Sequence, residues 1–295
     1  MENNEQRIAR IRDDREHGSR WLVGEAIALL ADLASDTTMT PEDRMQCLYA
    51  AARALARARP AMAALAGAMA RIMSAAPEGS AAIARQAQQV RNRYDHALEE
   101  ITHYARPLLN GTLLTDSVSG TVLDVLAACA THIEEVVALE GRPRYEGRDT
   151  AKALAQRGIP VTLITDAQAA IFLPRCQAVV VGADSVLASG DILNKAGTAL
   201  VAWAARGHHV PFYALCETLK ITPQRWTGDL GQLEEKEATE VLEQPIAGVT
   251  ARNFYFDRTP ARLVTAIITE DGILSRREIQ RRASDLRRLL RNIEM

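Results

Sequence analysis

From Pro107 to the C-terminus, short apolar runs rich in β-branched residues alternate with segments of helical periodicity, and this alternation constrains the fold most strongly. The runs are TLLT (112–115), VVAL (136–139), VTLIT (161–165), AVVVGA (178–183), PFYALC (211–216) and LVTAIIT (263–269). TVLDVLAACATH (121–132), RDTAKALAQRG (148–158), DAQAAIFL (166–173) and NKAGTALVAWAARG (194–207) read as the helices between them. Strands that are apolar along their whole length are buried on both faces, and a parallel sheet covered by helices provides that burial. The second part of the chain is therefore expected to be an α/β domain of doubly wound character.

Residues 1–105 have a different texture, rich in Ala, Leu and Arg. WLVGEAIALLADLA (21–34) and QCLYAAARALARA (46–58) show helical rather than alternating patterning. Thr40–Pro41–Glu42–Asp43 reads as a helix start, with a threonine cap, proline in the first turn and acids following. A chain of 295 residues accommodates one large domain or two ordinary ones, so a helical domain (1–105) followed by an α/β domain (106–295) is expected.

Composition excludes several classes of function. With 47% hydrophobic and 24% charged residues, the balance is that of a soluble globular protein. A formal net charge of -2 offers no basic field, so nucleic acid is not an expected partner. Cys47, Cys129, Cys176 and Cys216 form no CxxC pair, which argues against a zinc cage or disulfide framework and fits a reducing cytosol. No apolar stretch reaches the roughly 20 residues a bilayer span needs, and the charged N-terminus lacks a signal-peptide core. A cytoplasmic protein without metal, cofactor or membrane association is expected. The seven arginines of RREIQRRASDLRRLLRNIEM (276–295) accompany Ile279, Ala283, Leu286, Leu290 and Ile293 at helical spacing, so they read as the basic outer face of a packed helix.

In open parallel sheets, ligands bind beyond the carboxyl ends of the strands. Asp116–Ser117–Val118–Ser119–Gly120–Thr121 follows the first run, Glu140–Gly141–Arg142–Pro143 the second and Asp166 the third. Asp184 follows the fourth, and Glu217 the fifth with Lys220 close behind. Any one of these polar groups alone reads as a helix cap or a solvated charge; five together on one edge point to a site. Ser117 to Thr121 leads into a helix with small residues that leave backbone N–H groups open to an anion. Arg142, Lys195 and Lys220 add positive charge, and His17–Gly18–Ser19–Arg20 offers a second helix start. A phosphorylated small molecule is the ligand class these parts suggest. The sequence contains neither GxxxxGK[ST] nor a strand leading into GxGxxG, so an ordinary nucleotide loop is not expected.

The segment GADSVLASGDILNKAGTALVAWAARGHHVPFYALCETLK (182–220) resembles one superfamily throughout its length. HGS (17–19), Arg59–Pro60, LLTDSVSGTV (113–122), EGRP (140–143) and TPARLVTAIITEDGIL (259–274) extend the resemblance over most of the chain. The superfamily comprises ribose-1,5-bisphosphate isomerase, methylthioribose-1-phosphate isomerase and the alpha, beta and delta subunits of translation initiation factor 2B. The resemblance implies an N-terminal helical domain, a Rossmann-like domain with a mostly parallel sheet, and a homodimer or larger homo-oligomer. In the isomerases it implies a cysteine and an aspartate that convert an aldose 1-phosphate to a ketose phosphate. The aspartate falls on Asp184 and the cysteine on Ser117, where this chain departs from the pattern. Phosphate- and sugar-binding positions fall by resemblance on Gly18, Ser19, Arg59, Ser119, Gly120, Thr121, Asn194, Lys195 and Lys220, with Arg142 a further candidate. Of the four cysteines, Cys216 at a strand end is the least unsuited to replace the missing thiol. Two functions follow: a sugar-phosphate isomerase with an altered acid–base pair, or a non-catalytic sugar-phosphate or nucleotide binder like the alpha subunit, acting in regulation or assembly.

Overall fold

The structure is a computed structural model and describes residues 3–14 and 16–294. The first part of the chain is helical: α1 (Asn4–Asp13), α2 (Ser19–Ser35), α3 (Pro41–Arg57), α4 (Ala63–Met73) and α5 (Ser80–Ala105). Thr40 caps α3 as its sequence predicts, its hydroxyl oxygen accepting the Asp43 N–H at 3.1 Å with Pro41 in the first turn.

The chain then alternates. β1 (Gly111–Thr115), α6 (Gly120–Ala128), β2 (Ile133–Leu139), α7 (Glu146–Gln156) and β3 (Val161–Ile164) come first. The short α8 (Ala169–Phe172), β4 (Ala178–Val181), β5 (Ser185–Val186), β6 (Ile192–Lys195), α9 (Thr198–Gly207) and β7 (Phe212–Leu215) follow. After a largely irregular stretch come β8 (Phe256–Thr259), β9 (Ala266–Thr269), β10 (Gly272–Leu274) and α10 (Arg276–Glu294). Seven strands form one sheet in the order β10-β9-β7-β4-β1-β2-β3, parallel except for β10. All six predicted runs contribute strands to it, and both faces are buried along its central strands. Along β4, Val179 and Val181 pack into one core cluster, Ala178 and Val180 into another.

From β1 the chain steps outward through β2 to β3, then returns to place β4 on the other side of β1. That reversal leaves a crevice between the carboxyl ends of β1 and β4, where open α/β sheets bind ligands.

One expected helix is corrected. Asn194 and Lys195 do not open α9 but end β6, in a separate three-stranded sheet ordered β5-β6-β8. Their backbones pair with Asp257 and Phe256 of β8, and the helix begins only at Thr198. α10 packs as its apolar spacing predicts. Ile279 and Ala283 join a sheet-side cluster, while Leu286 and Ile293 join the cluster of the N-terminal helices. Among the described residues, no helix is long and apolar enough to cross a membrane.

Candidate functional site

A cavity of about 230 Å³ lies at the β1/β4 crevice. His17 to Arg20 and Met62 line it from the helical region. Asp116 to Thr121, Glu146, Gly182 to Asp184, Asn194, Lys195, Lys220, Tyr255 and Phe256 line it from the strand ends. Of the residues singled out in the sequence, Gly18, Ser19, Ser117, Ser119, Gly120, Thr121, Asp184, Asn194, Lys195 and Lys220 all meet here. A wider cleft of about 660 Å³ beside α10 contains none of them. Its Arg258 is closed onto Asp191, and its Arg276 and Arg287 onto backbone carbonyls.

Arg59 and Arg142 are not in the cavity. The Arg59 guanidinium donates to the carbonyls of Ile11 and Asp14, closing the end of α1. Arg142 is exposed, with its guanidinium 2.9 Å from the Tyr145 hydroxyl and over the Tyr145 ring. Asp166 likewise serves structure, accepting the Gly141 and Arg142 N–H groups at 2.8 Å each.

Two helix N-termini face the cavity. α2 begins at Gly18, which supplies no side-chain cap, so the first N–H groups of that helix remain open. α6 is capped by Ser119, whose hydroxyl oxygen accepts the Val122 N–H at 3.4 Å and leaves the Gly120 and Thr121 amides ahead of it. The N-terminus of α9, by contrast, is closed by Asp257, which accepts from Gly197 at 2.8 Å and Ala199 at 3.0 Å. The chain comes close at Gly182, where a Cβ would sit 2.7 Å from the Ser119 hydroxyl oxygen. Glycine there brings the β4 end against the β1 loop.

The cations are held by buried acids. Lys220 is 4% exposed and stands 3.5 Å from Glu217, which also accepts the Thr121 hydroxyl at 2.7 Å. Burial alone would lower the Lys220 pKa, but Glu217 and Asp184 together raise it. Burial would raise Glu217, yet Lys220 and the Thr121 hydrogen bond hold it below the usual range. Lys195 donates to Glu146 at 2.7 Å and lies over the Tyr255 ring, 4.7 Å from its centre.

The acids are of two kinds. Asp184 is half-buried in the turn between β4 and β5, and among the described residues its carboxylate has no hydrogen-bond partner. Burial raises its pKa against the pull of Lys220 and Lys195. Asp116 is 3% exposed, and its Oδ2 lies 3.1 Å from the Thr198 hydroxyl. Burial, with lesser help from Asp166 and Asp257, pushes Asp116 up to about 7 despite that hydrogen bond. Ser117, next to Asp116 in the chain, is in the left-handed region at φ 63°, its carbonyl accepting the Thr150 hydroxyl at 2.7 Å. The Ser117 hydroxyl itself has no partner among the described residues. Cys216 is corrected: it is fully buried and outside the cavity, with burial pushing its thiol up to about 12.

The sequence profile of the Initiation factor 2 subunit family matches residues 15–276. The chain belongs to this family. Family members similar to it include the ribose 1,5-bisphosphate isomerase of Archaeoglobus fulgidus, 34% identical over 260 residues, which span 85% of this chain and 82% of that protein. The methylthioribose-1-phosphate isomerase of Pelotomaculum thermopropionicum is 42% identical over 191 residues, 61% of this chain and about half (52%) of that one. Among solved structures, the translation initiation factor eIF-2B of Pyrococcus horikoshii OT3 superposes with a TM-score of 0.81 at 28% identity, covering 93% of this chain and 97% of that one.

Sequence reasoning about this family member missed several lining residues. Tyr255 and Phe256 follow an irregular stretch without periodicity, and Glu146 opens a helix like any acidic first turn, so no local signal marks them. His17 and Arg20 were legible only as the flanks of the helix start at Gly18 and Ser19; the His17 ring stacks on Trp21 at 3.9 Å and holds Asp14 at 2.8 Å. Asp116 was visible only as a strand-end acid.

Proposed function

We propose that this family member isomerises a sugar phosphorylated at C1, an aldose 1-phosphate such as ribose 1,5-bisphosphate, to the ketose phosphate. The observation that carries this reading is the unpartnered, half-buried Asp184 carboxyl group facing a cavity with two helix N-termini and two buried lysines. The N-termini of α2 and α6 with Lys195 and Lys220 suit phosphate, and Asp184, its pKa raised, suits proton donation. A C1-phosphorylated ring cannot open as a free aldose does. An acid must protonate the ring oxygen as the C1–O bond breaks, while a base takes the proton from C2 and the freed pair forms C1=C2. The C2 hydroxyl of that enol then returns a proton to the first group as C1 takes one from the second. The ketone stands at C2 and both groups are restored. The names of similar relatives, a ribose 1,5-bisphosphate and a methylthioribose-1-phosphate isomerase, support this substrate class.

The test is incubation with ribose 1,5-bisphosphate and methylthioribose 1-phosphate, following ketose formation. Turnover that drops by roughly 100-fold or more in Asp184→Asn is expected. An intact protein that binds these sugars and converts neither overturns the enzyme reading.

A second reading has its own observation. Ser117 stands where the resemblance places a thiol, and its hydroxyl has no activating base. A protein that holds a phosphosugar or nucleotide without converting it, in a cytoplasmic homo-oligomer, accommodates that serine. Stabilisation by a phosphosugar in a melting assay with no product would select it.

A further inference from the structure

We propose that Asp116, rather than Ser117, is the second catalytic residue of this cavity: its Oδ1 takes the proton from substrate C2 and returns it to C1, opposite Asp184. This rests on the isomerase reading above and names the base which that reading requires.

Three observations carry the assignment. Asp116 directly follows β1 and Asp184 lies between β4 and β5, so both stand beyond the carboxyl ends of the strands that flank the crevice, and both line the same cavity. One oxygen of Asp116 is engaged and the other is not: Oδ2 meets Thr198, whereas Oδ1 has no partner among the described residues and is not sealed in. A carboxylate so placed presents one free oxygen to a ligand.

The third observation is the hydroxyl of Thr198, which is built to accommodate Asp116 in either protonation state. Its Oγ1 lies 3.1 Å from Asp116 Oδ2, 2.7 Å from the Lys195 carbonyl and 3.0 Å from Asn194 Nδ2. A threonine hydroxyl has a single proton to give. When Asp116 is ionised, the proton points to Oδ2. When Oδ1 has taken a proton, Oδ2 remains an acceptor and the same hydroxyl goes on donating to it. Oδ2 therefore keeps its partner in both states, so the proton can come and go at Oδ1 without rearranging the backbone. The Ser117 hydroxyl has no comparable neighbour and, at its ordinary acidity, does not act as a base at neutral pH.

The charged groups around Asp116 are Lys195 from β6, which favours the carboxylate, and Asp166 after β3 with Asp257 from β8, which disfavour it. Glu146 from α7 is paired with that Lys195. Burial with these acids sets Asp116 at about 7, where a base shuttles protons effectively at neutral pH.

The experiment is the pH profile of kcat/KM for wild type, Asp116→Asn, Thr198→Val and Ser117→Ala with ribose 1,5-bisphosphate or methylthioribose 1-phosphate, whichever turns over. Wild type is expected to show a rising limb near pH 7 as Asp116 ionises. D116N should lose roughly 100-fold or more and lack that limb, while a phosphosugar still raises its melting temperature. T198V should move the limb to higher pH, because the ionised carboxyl loses its donor. S117A should lose less than roughly 10-fold and keep the limb where it is. The substrate phosphate, whose second ionisation falls near about 6, gives a limb too, but that one would persist in D116N. A wild type that converts substrate alongside a D116N within 10-fold of it, a limb near pH 7 that survives D116N, or a T198V limb that does not move overturns the assignment and leaves the isomerase reading standing. A wild type that converts neither sugar overturns both.

Discussion

At the scale of single residues, the site depends on polar groups buried at a cost that specific partners offset. Glu217 and Lys220 hold each other ionised in the interior, so removing one leaves an uncompensated charge. Lys220→Met is expected to cost roughly 3–5 kcal/mol in urea unfolding and to abolish phosphosugar binding. Asp116 works in the opposite sense. Its folded-state pKa of about 7 stands above the ordinary 3.8, so the folded chain keeps a proton that the unfolded chain releases. The stability this confers is full below about 4 and is lost as the pH rises through about 7. Asp257, pushed to about 6 by burial, adds to the same slope. Melting of the ligand-free protein should therefore decline from pH 4 to 7, and D116N should flatten part of that decline. Both acids were legible as residues; their environments were not, because burial and pairing depend on segments distant in sequence.

At the scale of elements, patterning carried far. The six apolar runs became strands because burial on both faces demands side chains that are apolar without interruption, a constraint written locally. α10 obeyed the helical rule: Leu286 is buried against the N-terminal helices, while Arg281 and Arg288 face outward. Leu286→Ala should cost about 2–5 kcal/mol, whereas Arg281→Gln should change stability by less than about 0.5 kcal/mol. The Asn194–Lys195 pair escaped the pattern because β6 is a strand only by virtue of pairing with β8, across the irregular stretch between them. α4 shows the same dependence on distant chain. At Gly67 a Cβ would stand 2.3 Å from the Leu219 carbonyl oxygen, so glycine lets α4 lie directly on the turn that presents Lys220. Gly67→Ala should displace that turn and weaken phosphosugar affinity before it unfolds the protein, which a binding titration beside a melt would separate.

At the scale of the whole molecule, the cavity belongs to neither half of the chain. The α2 N-terminus comes from the helical region and the other walls from the strand ends, so a ligand that fills it ties the two together. A phosphosugar at 100 times its Kd should stabilise the protein by about 2.7 kcal/mol, and Ser19→Asp, which sets a carboxylate at that N-terminus, should abolish the shift. The sequence by itself determined the helical-then-alternating architecture, the edge of the sheet that carries polar groups, and the family, because each is encoded in local periodicity or in residues at characteristic spacing. Only the tertiary structure decided that Arg59 and Arg142 lie outside the cavity, that Asp257 closes α9, and that Asp116 has a free oxygen beside a hydroxyl able to serve both of its charge states. Those properties are distances between segments far apart in the chain, and a carboxyl group acquires its chemistry from such neighbours rather than from its own position in sequence.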